Sequence, residues 1–206
     1  PTLGAERLTV ARLVGAPEAQ PGAVRVEDSG ISLPVDTDPA LATQIAAQYG
    51  PRIEYLPPDK PATEISIPSL AINTDLAQAE RTARTWDVST FEAEIAHLDG
   101  TAYLGTEGNA VLAGHVRTTR TALGPFRNLD KLKPGDLIIA SGEGVEYVYA
   151  VTWIDEFNPD AIAVTEDTGT PVLTLITCSD WNADTWSYER RIVIRAELIE
   201  VKHLDA

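Results

Sequence analysis

The 206-residue chain has one cysteine, Cys178, and no methionine. A single thiol forms no disulfide within the chain, which excludes the cross-linked framework of a small secreted domain. No stretch reaches the roughly 18 to 20 consecutive apolar residues that cross a bilayer, and no basic segment followed by an apolar one opens the chain. Positive charge is scarce as well: 16 Lys and Arg stand against 31 Asp and Glu, a formal net charge of −15. Such a surface repels phosphate backbones and anionic headgroups, so nucleic-acid binding is set aside. What remains is 44% hydrophobic and 23% charged. This is the composition of a globular protein and not of a disordered, collagenous or coiled-coil chain.

Proline divides the chain. Pro17, Pro21, Pro34, Pro39, Pro51, Pro57, Pro58 and Pro61 lie among small and polar residues, so residues 1–61 read as an arm and residues 62–206 as the folded domain. One helix is predicted in the arm, from Pro39 to Tyr49: Asp38 is its N-cap, Leu41, Ile45 and Tyr49 recur every four residues, and Gly50-Pro51 ends it. After Pro61 short apolar or alternating segments predict strands at Glu64–Ile67, Ala71–Thr74, Asn109–Ala113, Asp136–Ala140, Val145–Phe157, Val172–Thr177 and Arg191–Ile199. Phe91–Leu98 and Phe126–Leu132 read as short helices. Strands separated by turn signals predict a mainly β fold, a closed or nearly closed barrel with short peripheral helices.

Three segments carry residues suited to chemistry. The run Val172–Thr177 leads into Cys178 and a polar stretch, placing the thiol at a strand end, where it is either a structural cysteine or a nucleophile. Asn109–Ala113 delivers His115 after a glycine; histidine serves as acid or base near neutral pH, or as an ordinary hydrogen-bonded side chain. Arg190 and Arg191 open a β-branched strand about a dozen residues after the cysteine, and either guanidinium could hold a carbonyl or an oxyanion. Adjacent strand residues face opposite sides, so only one of the two reaches the thiol. Arg195 reads as an exposed edge-strand charge.

As a set, Thr-Leu-Ile-Thr-Cys at 174–178, Asn-Ala-Val-Leu-Ala-Gly-His at 109–115 and Arg-Ile-Val-Ile-Arg at 191–195 resemble the sortases, cysteine transpeptidases of the Gram-positive cell surface. His97-Leu-Asp-Gly-Thr-Ala-Tyr-Leu-Gly105, Ile65-Ser-Ile-Pro-Ser-Leu-Ala-Ile72 and Leu132-Lys-Pro-Gly-Asp136 extend the resemblance over about residues 62–200. It implies a barrel of about eight strands, with Cys178 as nucleophile, His115 as acid/base partner and Arg191, rather than Arg190, as the oxyanion or substrate-positioning cation. Thr177 and His97 are the residues expected on the substrate side. The resemblance implies cleavage of a C-terminal sorting signal, Leu-Pro-any-Thr-Gly in type, in a secreted protein. A thioester on Cys178 then passes the acyl group to an amine of a cell-wall precursor or pilin subunit. The alternatives are a cysteine peptidase hydrolysing the same bond and a non-enzymatic β-barrel surface module. No cofactor is expected: Glu92, Glu94, Asp99 and Glu107 lack the spacing of a calcium loop. The expected location is the outer face of the cell membrane, with the arm as a stalk from an N-terminal tether that precedes Pro1.

Overall fold

The computed structural model describes residues 61–82, 85–118 and 123–204. The helix predicted at Pro39–Tyr49 lies outside them. Eight strands follow in order: β1 (Glu64–Ile67), β2 (Ile72–Ala79), β3 (Ile95–Leu98), β4 (Asn109–Ala113), β5 (Leu137–Gly142), β6 (Val145–Phe157), β7 (Val172–Asn182) and β8 (Ser187–His203). They close into a barrel in the order β1-β2-β3-β4-β7-β8-β6-β5. Two neighbouring pairs, β2 with β3 and β4 with β7, run parallel, and the other pairs run antiparallel. Closure leaves no free sheet edge, so the backbone hydrogen-bonding groups along every strand find partners within the barrel.

Alternation along each strand sends one set of side chains inward. Ile65, Ile67, Ile95, Leu112, Ile138, Tyr149, Leu173, Leu175 and Ile194 are fully buried within one cluster drawn from the strands around the barrel. The opposite face of the sheet is covered by two further clusters. Trp86, Val88 and Phe91 pack over Ala79, Ala96, Leu98 and Val111. Trp153 and Ala161 pack beside Phe157, Val164 and Val193. Ile176 touches both, so it lies between the two covered regions on the outer face of β7.

Several elements differ from the sequence prediction. The helix expected at Phe91–Leu98 is replaced by β3, because Ile95–Leu98 is claimed by parallel pairing with Leu76–Ala79 and all four residues are buried. The four-residue apolar spacing of Phe91 and Ile95 fits a helix, but the two residues serve opposite faces of the sheet. The helix expected at Phe126–Leu132 is a turn followed by a 3-10 turn, Leu129–Lys131. Its buried residues Phe126, Leu129 and Leu132 recur every three positions, the period of a 3-10 helix. Single 3-10 turns at Pro68–Leu70 and Ile162–Thr165 complete the periphery. The strand expected to end at Thr177 continues to Asn182, and its partner extends from Ser187 to His203. The polar side chains in these extensions disguise a hairpin whose backbone pairing runs on past the apolar core.

The edge position expected for Arg195 is also overturned. It lies on β8, between β7 and β6, and only 7% of its surface is exposed. Arg195 Nη2 donates to the Val164 carbonyl at 3.0 Å. Asn109 Nδ2 donates to the Val164 and Glu166 carbonyls, while Thr174 Oγ1 donates to Asn109 Oδ1 at 2.6 Å. These buried side chains fasten the Ile162–Thr165 turn to the outer face of the sheet. Glu197, two residues along β8 from Arg195, is buried with it; burial pushes its carboxyl up to about 8, against the opposing pull of Arg195. A carboxyl with a folded-state pKa above its unfolded value stabilises the fold below the unfolded pKa and loses that contribution as pH rises through the folded one. We therefore expect stability, and with it the melting temperature, to fall as pH rises from about 5 to 8 and to level off above that, with a slope in unfolding free energy of at most ~1.4 kcal/mol per pH unit from this group. Calorimetry of Glu197→Gln, which carries no titrating proton, should show a flatter pH dependence over the same interval; an unchanged slope would assign the effect elsewhere.

Candidate active site

Strand pairing brings the three chemical segments together. β4 and β7 pair in parallel from Asn109 with Val172 to Ala113 with Ile176, a constant offset of 63 residues. The same 63 residues separate His115 from Cys178, so continuing the register two residues beyond β4 sets the histidine beside the cysteine. Gly114 N donates to the Ile176 carbonyl at 3.2 Å, which carries the pairing past the end of β4. On the other side, Cys178 pairs directly with Arg191 of β8. His115, Cys178 and Arg191 thus form one row across three neighbouring strands, whose spacing is ~4.8 Å.

They also share a face. Leu112, Leu175 and Ile192 belong to the barrel interior, and one residue further along each strand Ala113, Ile176 and Val193 belong to the outer clusters. Two residues beyond Ala113 and Ile176, and two before Val193, alternation places His115, Cys178 and Arg191 on that outer face. Ile176 leads to them between the wall containing Val88 and Phe91 and the wall formed by Trp153, Phe157 and Val164.

Each side chain has a defined environment. His115 Nε2 lies 2.9 Å from the Val88 carbonyl. A carbonyl only accepts, so Nε2 carries a hydrogen in this bond, and the lone pair of the neutral ring resides on Nδ1. The bond fixes the ring to the loop that covers the outer face. Cys178 is half-buried, and burial raises its thiol pKa while the Arg191 charge pulls it down. Arg191 Nη1 donates to the carbonyls of Arg190, at 2.9 Å, and Tyr188, at 3.3 Å. These bonds anchor one arm of the guanidinium fork to its own strand.

Arg190 is occupied elsewhere. It pairs with Ser179, and its two terminal nitrogens donate to Asn158 Oδ1 and the Glu156 carbonyl, both at 2.9 Å. Thr177 is buried, with Oγ1 donating to the Gly114 carbonyl at 2.7 Å, and so ties β7 to the residue preceding His115. His97 is not brought to Cys178. It pairs with Leu112, an inward-facing residue, and its ring contacts Gln78 Oε1, the Ala102 carbonyl and Thr101 Oγ1. Burial lowers its pKa, holding it neutral among those partners. Cys178 itself lies within a strand and not at its end. Among the described residues, no group of three His, Cys, Asp or Glu side chains is placed to hold a metal ion.

The domain matches the sortase domain family over residues 65–199, about two thirds of the chain. The chain belongs to the sortase family. It is 36% identical to sortase A of Bacillus anthracis over 96 residues, which are 47% of this chain and 43% of that one. The chain therefore matches less than half the length of that relative. A structure of sortase A from Listeria monocytogenes superposes with a TM-score of 0.57 at 25% identity, covering 71% of this chain and 92% of that one. Sortase C1 from Streptococcus agalactiae gives 0.54 at 27% identity, covering 66% of each chain.

Two features of this sortase site escaped the sequence. The Val88 carbonyl that orients His115 is a backbone atom in a loop, which no residue pattern marks. Beyond Cys178, the hairpin register sets Trp181 opposite Tyr188, with rings 4.9 Å apart, and Trp186 edge-on to Trp181 at 6.0 Å. The repeated aromatics of Trp181, Trp186 and Tyr188 were visible, but pair only once the polar stretch is recognised as strand.

Proposed function

We propose that this chain is a cysteine transpeptidase acting on a sorting signal of the Leu-Pro-any-Thr-Gly type near the C-terminus of a secreted protein. The observation that carries the reading is the row of His115, Cys178 and Arg191 on one face of three adjacent strands. Cys178 Sγ attacks the scissile carbonyl as its proton passes to His115. The oxygen gains negative charge facing the Arg191 guanidinium, the element of acyl transfer that fixed donors stabilise most. Collapse breaks the C–N bond, His115 returns the proton to the leaving amine, and a thioester remains on Cys178. An incoming amine of a cell-wall precursor or pilin subunit then gives its proton to His115, attacks the thioester and releases the thiol.

Sortases act at the cell surface, outside the cytoplasm, and we place this domain there, held by the N-terminal side of the chain. Among the described residues no helix is long and apolar enough to cross a membrane. Mass analysis of the products of a sorting-signal peptide, with and without an added primary amine, tests the reading. The expected result is an amide whose yield rises with amine concentration at the expense of the free acid. Free acid alone at saturating amine would make the protein a peptidase.

A further inference from the structure

We propose that a cleft on the far side of His115 from Cys178 binds the incoming amine through a carboxylate that the acceptor carries close to its amino group. This inference rests on the transpeptidase reading. The cleft has a volume of about 280 Å³ and lies between the start of β2 and the segment 123–128. Its place relative to the reacting row follows from backbone pairing: the segment 123–128 bonds to the His115 and Val116 carbonyls, and the parallel offset of β2 and β3 puts Thr74 beside Ala93. Thr74 Oγ1 reaches the Ala93 carbonyl at 3.4 Å, in keeping with that alignment. Thr74 and Ala93 both line the cleft. Across the fold the order is thus cleft, segment 123–128, His115, Cys178, Arg191.

The other wall is built directly onto the histidine. Phe126 N donates to the His115 carbonyl and Gly124 N to the Val116 carbonyl, each at 3.0 Å. A Cβ on Gly124 would lie 2.0 Å from His115 O, so the absence of a side chain lets this wall approach the His115 backbone. In acyl transfer the leaving and entering amines both exchange protons with the same base, so both occupy the His115 side of the thioester. Gly124 both lines the cleft and abuts His115, so the cleft lies next to that side, away from Arg191.

Its chemistry is unlike that of the rest of the molecule. In a chain with 31 acidic and 16 basic residues, no described residue lining the cleft is acidic, and one, Arg127, is cationic. Arg127 makes no salt bridge with a described residue; Nη1 has only a long 3.5 Å contact with the Gly124 carbonyl. Asn73 and Asn128 add amide donors and acceptors, and Leu70, Ile72 and Leu123 add apolar surface. A guanidinium without a carboxylate partner, flanked by amides, suits a carboxylate on a short amino-acid or peptide amine.

The test compares glycylglycine with glycylglycinamide as acceptors, using wild type and Arg127→Ala, a sorting-signal peptide and the full chain. Wild type is expected to half-saturate at a lower concentration of glycylglycine than of its amide. Arg127→Ala should raise the glycylglycine value about five- to tenfold, leave the amide value unchanged, and form acyl-enzyme at the wild-type rate. Equal use of the two acceptors by wild type would overturn the proposal. So would slower acyl-enzyme formation in Arg127→Ala, since the cleft would then serve the donor peptide. Binding is also read without chemistry: in Cys178→Ala, glycylglycine should shift the NMR amide signals of Gly124, Arg127 and Asn128, and adding Arg127→Ala should abolish the shifts. Shifts at the cleft with no acyl-enzyme in wild type would refute the transpeptidase reading and keep the site. Acyl-enzyme without such shifts would do the reverse.

Discussion

Cys178→Ala is expected to abolish acyl-enzyme formation and to lower turnover of a sorting-signal peptide on the order of 10⁴-fold or more, to the level of the uncatalysed reaction. No second thiol exists to substitute for it. Alanine keeps the strand backbone and its pairing with Arg191, so the melting temperature should change little, and inactivity with an intact fold would assign the loss to the missing sulfur. The half-buried thiol adds a pH signature. Burial holds its pKa above the usual thiol value, so the thiolate fraction, and with it alkylation of native wild-type protein by iodoacetamide, should rise with pH over a higher range than for an ordinary thiol. Turnover retained by Cys178→Ala, or a thiol that labels only after unfolding, would each contradict the assignment.

Arg191→Ala should lower kcat/KM by about 10²- to 10³-fold, the range found when one donor to a developing oxyanion is removed. Arg190→Ala should cost much less, because Arg190 is engaged with Asn158 and Glu156 and not with the row that contains Cys178. A second measurement separates a charge effect from a merely structural one. Arg191 is the group that pulls the Cys178 pKa down, so its removal raises that pKa and moves the rising limb of the pH–rate profile to higher pH. Arg190→Ala should leave the limb where it is. Arg191→Lys, which restores charge without the planar fork, should recover the pH position but only part of the rate. A larger loss in Arg190→Ala would transfer the role to that residue.

Much of the barrel could be read from the chain because apolar segments between turn residues mark strands whether or not their partners are known. β1, β4 and β6 begin and end where the sequence placed them. β3 escaped notice for a physical reason: four residues buried on both faces show no alternation, and the same apolar spacing suits a helix. The outer half of the β7–β8 hairpin was hidden by its polar side chains, although backbone hydrogen bonds hold it as strand.

The candidate site divides in the same way. Residue type and order singled out Cys178 and His115, because a lone thiol after an apolar strand and a histidine after a strand and glycine are local features. Sequence left Arg190 and Arg191 open on their own residues, and could not distinguish an inward-facing His97 from a groove residue. Those questions turn on which face of which strand a residue occupies, and that depends on registers between segments 13 to 63 residues apart. The offset between β4 and β7, the pairing of Cys178 with Arg191 and the Val88 carbonyl on His115 were decided by tertiary structure alone. A one-residue slip in any of these pairings would turn a side chain to the other face of the sheet, and burial of the barrel core is what holds the registers where they are.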